Sequence, residues 1–238
     1  MRYSLINDIK AKLEQLEEKI EAACCRSGRK RSEIVLMGVT KFHDLATVEA
    51  AWEAGLRLFG ENRLQEGKEK FSLFWETHPR DSAGLHLIGS LQRNKAKAAA
   101  AFFDCIQSVD RDSLVEELGA LTQEREKPLM VMLEYHTGEE TKAGFPDMDS
   151  LFRAAEKTLS FKGLKAAGLM TMAPYTDDTA LVRASFRELV KARDELDKRF
   201  PGYWPCLSMG MTSDFEIAIE EGSSLLRIGT AIFGGRVT

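Results

Sequence analysis

The sequence predicts a closed barrel of eight parallel β-strands, each followed by a helix, with an extra helix at the N-terminus. Three observations carry that expectation. Short, nearly charge-free apolar runs alternate with segments of helical period along the chain. There are eight such runs, the number that closes a (β/α)8 barrel. The 238 residues suit one unit of this kind, and no linker or composition break divides them, so residues 1–238 read as a single domain. A doubly wound open sheet is the alternative, since it also alternates strands with helices.

Residues 4 to 25 carry Leu5, Ile9, Leu13, Leu16, Ile20 and Ala23 at spacings of three and four, one apolar helical stripe stopped near Gly28. The run from Ile34 to Val39 follows without a charge and delivers Lys41 just beyond it. So continuous an apolar run needs cover on both faces, the condition of a buried parallel strand. A helix is expected from Asp44 to Ala54, closed by Gly55, then a strand from Leu56 to Phe59 ending in Gly60-Glu61-Asn62. A polar helix runs through Phe74, and Pro79-Arg80-Asp81 marks a loop. Leu85 to Gly89 is the third strand, with a helix around Asn94 to Phe102. Asp104 to Val109 is the fourth, with a helix from Leu114 to Glu126. Pro128 opens the fifth, Leu129 to Glu134, and a loop containing glycine leads to a helix from Met148 to Thr158. Leu164 to Met170 is the sixth, followed past Pro174 by an amphipathic helix from Asp178 to Phe200. Cys206 to Met209 is the seventh, Asp214 to Glu220 its helix, and Leu225 to Ile228 the eighth.

A formal charge of -4 leaves no electrostatic footprint for nucleic acid. The one basic cluster, Arg26, Arg29, Lys30 and Arg31, reads as a solvated helix terminus, where cations meet the negative end of the dipole. Cys24, Cys25, Cys105 and Cys206 form no C-x-x-C pair, so reduced thiols in a cytoplasmic protein are expected, without a metal site. Met1 to Asp8 lacks the apolar core of a signal peptide, and no stretch approaches ~20 apolar residues, so no membrane partner is expected.

A barrel collects its chemistry at the carboxyl ends of its strands. Here those ends supply Lys41, Asn62, His86 with Gly89-Ser90, Asp110, Glu134, Thr171, Ser208-Met209-Gly210 and Arg227-Ile228-Gly229-Thr230. In Ser208 to Asp214 a glycine and three hydroxyl residues precede a helix start, whose N–H groups bind phosphate. Gly229-Thr230 makes a second such corner after the last strand, and the loops after strands seven and eight are a common phosphate site of barrels. Helix capping is the structural alternative for each hydroxyl. An amine together with a phosphate cradle suggests a phosphorylated aldehyde held as a Schiff base, either pyridoxal phosphate (PLP) or the sugar phosphate of an aldolase.

Gly38-Val39-Thr40-Lys41, the run from Phe59 to Glu66, His86 to Lys95, Gly138 to Gly144, Gly168 to Met172, Leu207 to Met211 and Arg227 to Gly234 together resemble the pyridoxal phosphate homeostasis protein family. The resemblance spans residues 34 to 235 in order. It implies a single-domain TIM barrel like the N-terminal domain of alanine racemase, the PLP fold type III. It implies pyridoxal 5′-phosphate as cofactor, bound as a Schiff base on Lys41. Ser208, Thr212, Gly229 and Thr230 are then expected at the phosphate, and Arg227 against the pyridine nitrogen. Val39, Asn62 and Met209 are expected in the ring pocket. His86 is expected to be a core histidine satisfied by backbone, and Glu61 to support the loop at Asn62. The implied role is a monomeric carrier or regulator of intracellular PLP without substantial catalysis, with PLP-dependent apoenzymes as recipients. The alternative is an amino-acid racemase or related PLP enzyme. Three places depart from the family pattern: Leu85 replaces an aromatic, Tyr135-His136 replaces Val-Asn, and Thr212-Ser213-Asp214 replaces Ser-Asp-Asp or Ser-x-Asp but keeps a hydroxyl at the first position.

Overall fold

The computed structural model describes residues 2–138 and 143–235. Glu139, Glu140, Thr141 and Lys142, part of the loop from Gly138 to Gly144, lie outside the described residues. Eight strands are present: β1 (Val35–Val39), β2 (Leu58–Glu61), β3 (Gly84–Leu87), β4 (Cys105–Val109), β5 (Leu129–Glu134), β6 (Leu164–Met170), β7 (Cys206–Ser208) and β8 (Leu225–Ile228). Each lies parallel to the next, and β8 pairs with β1 to close the barrel, with Met37 beside Arg227 and Gly38 beside Ile228. This closure excludes the open sheet.

The helices are α1 (Arg2–Ser27), α2 (Leu45–Glu53), α3 (Leu64–Thr77), α4 (Ala96–Phe102), α5 (Asp112–Thr122), α6 (Met148–Ser160), α7 (Thr179–Arg199), α8 (Phe215–Glu220) and α9 (Thr230–Phe233). The helix after β8 has only four residues, too few to cover the seam between β8 and β1. The N-terminal helix supplies that cover. It packs on α2, α8 and α9 and buries Ile9, Leu16, Ile20 and Ala23, the stripe read from the sequence.

The basic cluster at the end of α1 is not simply solvated. Arg26 pairs with Glu216 and Glu220 of α8, both at 2.8 Å. Arg29 donates to the Ile219 carbonyl at 3.0 Å, and Arg31 donates to Glu17 at 2.9 Å. The cluster therefore fastens α1 across the seam rather than merely facing water.

The second strand lies two residues later than the apolar pattern suggests. Leu56 is taken by the end of α2, where its amide bonds to the Ala51 carbonyl at 3.0 Å and Gly55 adopts φ +106°. Inside the barrel, Met37, Cys105, Met132, Met170 and Leu225 form an apolar floor. The β5–β6 ladder skips a residue between Ala166 and Gly168. At Gly168 a β-carbon would sit 1.9 Å from the carbonyl oxygen of Cys206 in β7. Gly168→Ala must therefore separate two strands, and it is expected to cost about 2–3 kcal/mol, read as a lowered midpoint in urea unfolding.

Candidate functional site

The carboxyl ends of the strands surround a cavity of about 540 Å³, within the ~300–1,000 Å³ common for small-molecule sites. Seven of the nine residues expected at the site line it: Val39, Lys41, Asn62, Thr212, Arg227, Gly229 and Thr230. Lys41 lies two residues past the end of β1, and Asn62 directly follows β2. Asn62 sits close against β3 because residue 89 is glycine; a β-carbon there would lie 2.1 Å from the Asn62 carbonyl oxygen. Ile88, Met170 and Met211 supply apolar wall that the sequence reading did not single out.

The other two residues do not line the cavity. Successive strand residues face opposite sides of the sheet, so Ser208 and Met209 could not both point inward. Met209 is fully buried in the main core between barrel and helices. Ser208 is fully buried too, and its hydroxyl belongs to a polar chain instead of to a ligand. Arg227 Nη1 donates to Ser208 Oγ at 2.8 Å, and Ser208 Oγ donates to Gln107 Oε1 at 2.7 Å. Gln107 Nε2 then donates to His86 Nδ1 at 2.8 Å. The direction follows from chemistry, since an arginine can only donate and each later group must pass its proton onward.

His86 is a core histidine as expected, but its partner is the Gln107 side chain, not backbone. Burial pushes its pKa down to about 4, in keeping with an Nδ1 that accepts. Arg227 also donates from Nη2 to the Thr171 carbonyl at 2.7 Å. Burial lowers its pKa to about 10, with Asp214 and Glu134 opposing, so it stays charged at neutral pH. Glu134, at the end of β5, faces the same cavity and is 4% exposed. Burial, reinforced by Asp110 and opposed by Arg227, raises its pKa to about 7. Tyr135 is buried in the core, while the buried Nδ1 of His136 has no hydrogen bond among the described residues.

The two loop corners meet at the cavity's edge. Thr212 Oγ1 accepts from the Ala231 amide at 3.3 Å, which ties the β7–α8 loop to the start of α9. The N-cap positions of α8 and α9 are Asp214 and Gly229, so Ser213 and Thr230 are not the cap residues. A helix start leaves its first amides without intrahelical partners. The result is a cavity with an amine on one side, a guanidinium at its floor, and hydroxyls and amides at one edge. Such a donor set fits a phosphorylated, largely flat aldehyde. Among the described residues no group of histidine, cysteine and acidic side chains could hold a metal. Nor is any described helix long and apolar enough to cross a membrane.

The sequence profile of the alanine racemase N-terminal domain matches residues 12–237. The pyridoxal phosphate homeostasis protein of Vibrio cholerae is 36% identical over 232 residues, covering 97% of this chain and 98% of that protein. The chain belongs to this family. Among solved structures, PipY of Synechococcus elongatus with PLP bound is 32% identical with a TM-score of 0.82, over 95% of this chain and all (100%) of that one. Alanine racemase of Clostridium difficile shares the fold, with a TM-score of 0.74 at 11% identity. The match covers 98% of this chain but 58% of the racemase. The Vibrio cholerae protein is thus matched over nearly its whole length, and the racemase over 58% of its chain.

The polar chain behind Arg227 has a measurable consequence. The unfolded chain takes up a proton on His86 below its ordinary 6.5, whereas the folded one does so only near 4. Stability from His86 is complete above pH 6.5 and is lost as pH falls through that window. Between pH 7 and about pH 4.5 the parent should lose about 2–3 kcal/mol more in urea unfolding than His86→Gln, a difference in which the opposite contribution of Glu134 cancels.

Proposed function

We propose that this protein binds pyridoxal 5′-phosphate with Lys41 as the Schiff-base amine, and that it serves PLP homeostasis as a carrier or regulator. One observation carries the reading. The lysine at the end of β1 opens into the same cavity as the hydroxyl and amide corners after β7 and β8. When bound, the cofactor brings an aldehyde that condenses reversibly with an amine. Lys41 supplies that amine, while the hydroxyls of Thr212, Ser213 and Thr230 and the Thr230 amide would hold the phosphate. Val39, Asn62 and Ile88 flank the ring, and Arg227 faces its nitrogen. The names and bound ligand of the relatives matched over nearly their whole length support the same assignment.

Arg227 also bears on turnover. A permanent cation beside the pyridine nitrogen disfavours its protonation, which weakens the ring as an electron sink. The reading is therefore of a holding protein in which residues 1–238 act as one monomeric domain. Its recipients are PLP-dependent apoenzymes in the cytoplasm.

Borohydride treatment of the loaded protein followed by peptide mapping should place the phosphopyridoxyl label on Lys41. In Lys41→Ala the label and the imine absorbance should both disappear. A label scattered over surface lysines and unchanged by this substitution contradicts the assignment. Incubation with L-alanine in deuterated water separates the racemase reading, which requires D-alanine carrying deuterium at its α-carbon. Slow exchange without inversion is expected, because a proton must be returned to the opposite face by a second group.

Phosphate recognition can be weighed separately. Thr230→Val keeps the shape of the corner and removes one hydroxyl. A hydrogen bond to a charged group is worth ~1.5–3 kcal/mol, so affinity for PLP should fall roughly ten- to a hundredfold in a titration.

A further inference from the structure

A second polar network lies behind the cavity, between the barrel and α3, and ligand contact gives it no role. Glu61, the last residue of β2, is fully buried and turned toward α3. A β-carbon on Gly67 of α3 would lie 3.4 Å from its Cβ and Cγ. Lys70 of the same helix is also buried. Its Nζ donates to Glu61 Oε1 and to the Thr40 carbonyl, each at 2.7 Å, and to Glu66 Oε1 at 3.3 Å. Thr40 Oγ1 donates to Glu61 Oε1 at 2.6 Å.

These bonds converge on the turn that carries Lys41. The Thr40 amide donates to the Gly60 carbonyl at 3.0 Å, and the His43 amide donates to the Thr40 carbonyl at 3.1 Å. The Phe42 amide donates to Glu66 Oε1. Phe42 has φ +69°, the one positive φ outside glycine among the described residues. A strained residue of this kind persists only where its surroundings over-determine it. Here both residues flanking Lys41 are bonded to side chains of β2 and α3.

We propose that the Glu61–Lys70 pair is a positioning device, holding the Thr40–His43 turn so that the Lys41 amine enters the cavity. The proposal rests on the reading of Lys41 as the amine that holds the aldehyde. Stability alone does not account for the pair. Desolvation makes a buried ion pair no better than an apolar pair of the same volume, and Glu61 Oε2 has no hydrogen bond among the described residues. Geometry does account for it. Only an ammonium offers three protons from one atom, and here they reach a carboxylate, a backbone carbonyl and a second carboxylate that itself accepts the Phe42 amide.

The test compares the parent, Lys70→Met, and the apolar double variant Glu61→Leu with Lys70→Met. Capture of pyridoxal 5′-phosphate is followed by imine absorbance. Pyridoxine 5′-phosphate, an alcohol that cannot form an imine, reports the cavity alone, and amide exchange of the ligand-free protein reports the turn. In Lys70→Met, capture should slow about ten- to a hundredfold while the alcohol binds within about twofold of the parent. Exchange at Phe42 and His43 should quicken. The double variant should regain the parent's melting temperature without regaining capture, which a merely structural role would not produce. Unchanged capture and exchange in Lys70→Met overturn the proposal, as does recovery of capture together with stability in the double variant. If the parent's label is not on Lys41, the binding reading falls, whereas the exchange data still decide whether the pair holds the turn.

Discussion

The hydrogen-bonded closure of β8 onto β1 is the constraint on which the site depends. Its register sets Met37 beside Arg227 and Gly38 beside Ile228, so the chain that delivers Lys41 runs alongside the chain that delivers Gly229 and Thr230. Lys41 and the corner at Gly229 and Thr230 line one cavity only because the first and last strands are adjacent. At the seam a β-carbon on Gly229 would lie 3.4 Å from the Val39 carbonyl. Cover for this seam comes from α1, held to α8 by Arg26 and Arg29. The N-terminal helix is therefore part of the site's support, although it contributes nothing to the cavity lining.

Two buried polar networks flank the cavity, and their placement follows from the alternation of strand side chains. Inward positions carry the chain from Arg227 through Ser208 and Gln107 to His86. Outward positions carry Thr40 and Glu61, which meet Lys70 in the helix layer. A charge in an apolar interior is costly unless each donor finds an acceptor. Ser208 and Gln107 complete that condition for the guanidinium by linking it to a neutral imidazole. The inner network fixes a floor group, and the outer one fixes the backbone from which a wall group hangs.

Much of the barrel was legible in the chain because buried parallel strands leave apolar runs that surface elements do not. Lys41 stood out for the same reason, as the first charge after such a run. The strand boundary at Leu56 was misplaced because its apolar character serves the end of α2, a tertiary use that periodicity does not distinguish. Ser208 is expected at the phosphate and Met209 in the ring pocket, yet neighbouring positions at the end of β7 face opposite sides, and neither reaches the cavity. Arg26 resembles a solvated charge in the sequence because its acidic partners on α8 lie nearly 200 positions away, at separations of 190 from Glu216 and 194 from Glu220. Gln107 did leave a signal. A lone amide among Cys105, Ile106 and Val109 has to find a partner inside the barrel. Lys70 left one as well, a charge on the helix face that also carries Gly67, Phe71 and Phe74.

The cavity's own charge is set by two side chains that respond differently to pH. Arg227, at about 10, remains a cation throughout the neutral range. Glu134, at about 7, does not keep a constant charge there, because burial and Asp110 disfavour its ionised form more than Arg227 favours it. As pH falls through neutrality Glu134 takes up a proton, and the carboxylate that offsets Arg227 is lost. A phosphorylated ligand then meets a more positive cavity on the acid side and a less positive one on the alkaline side. This electrostatic term acts over the short distances inside the cavity. It runs opposite to the requirement of Lys41, whose amine must be unprotonated to bond an aldehyde. For an anionic ligand that carries an aldehyde, the charge of Glu134 and the amine of Lys41 thus make opposite demands on pH.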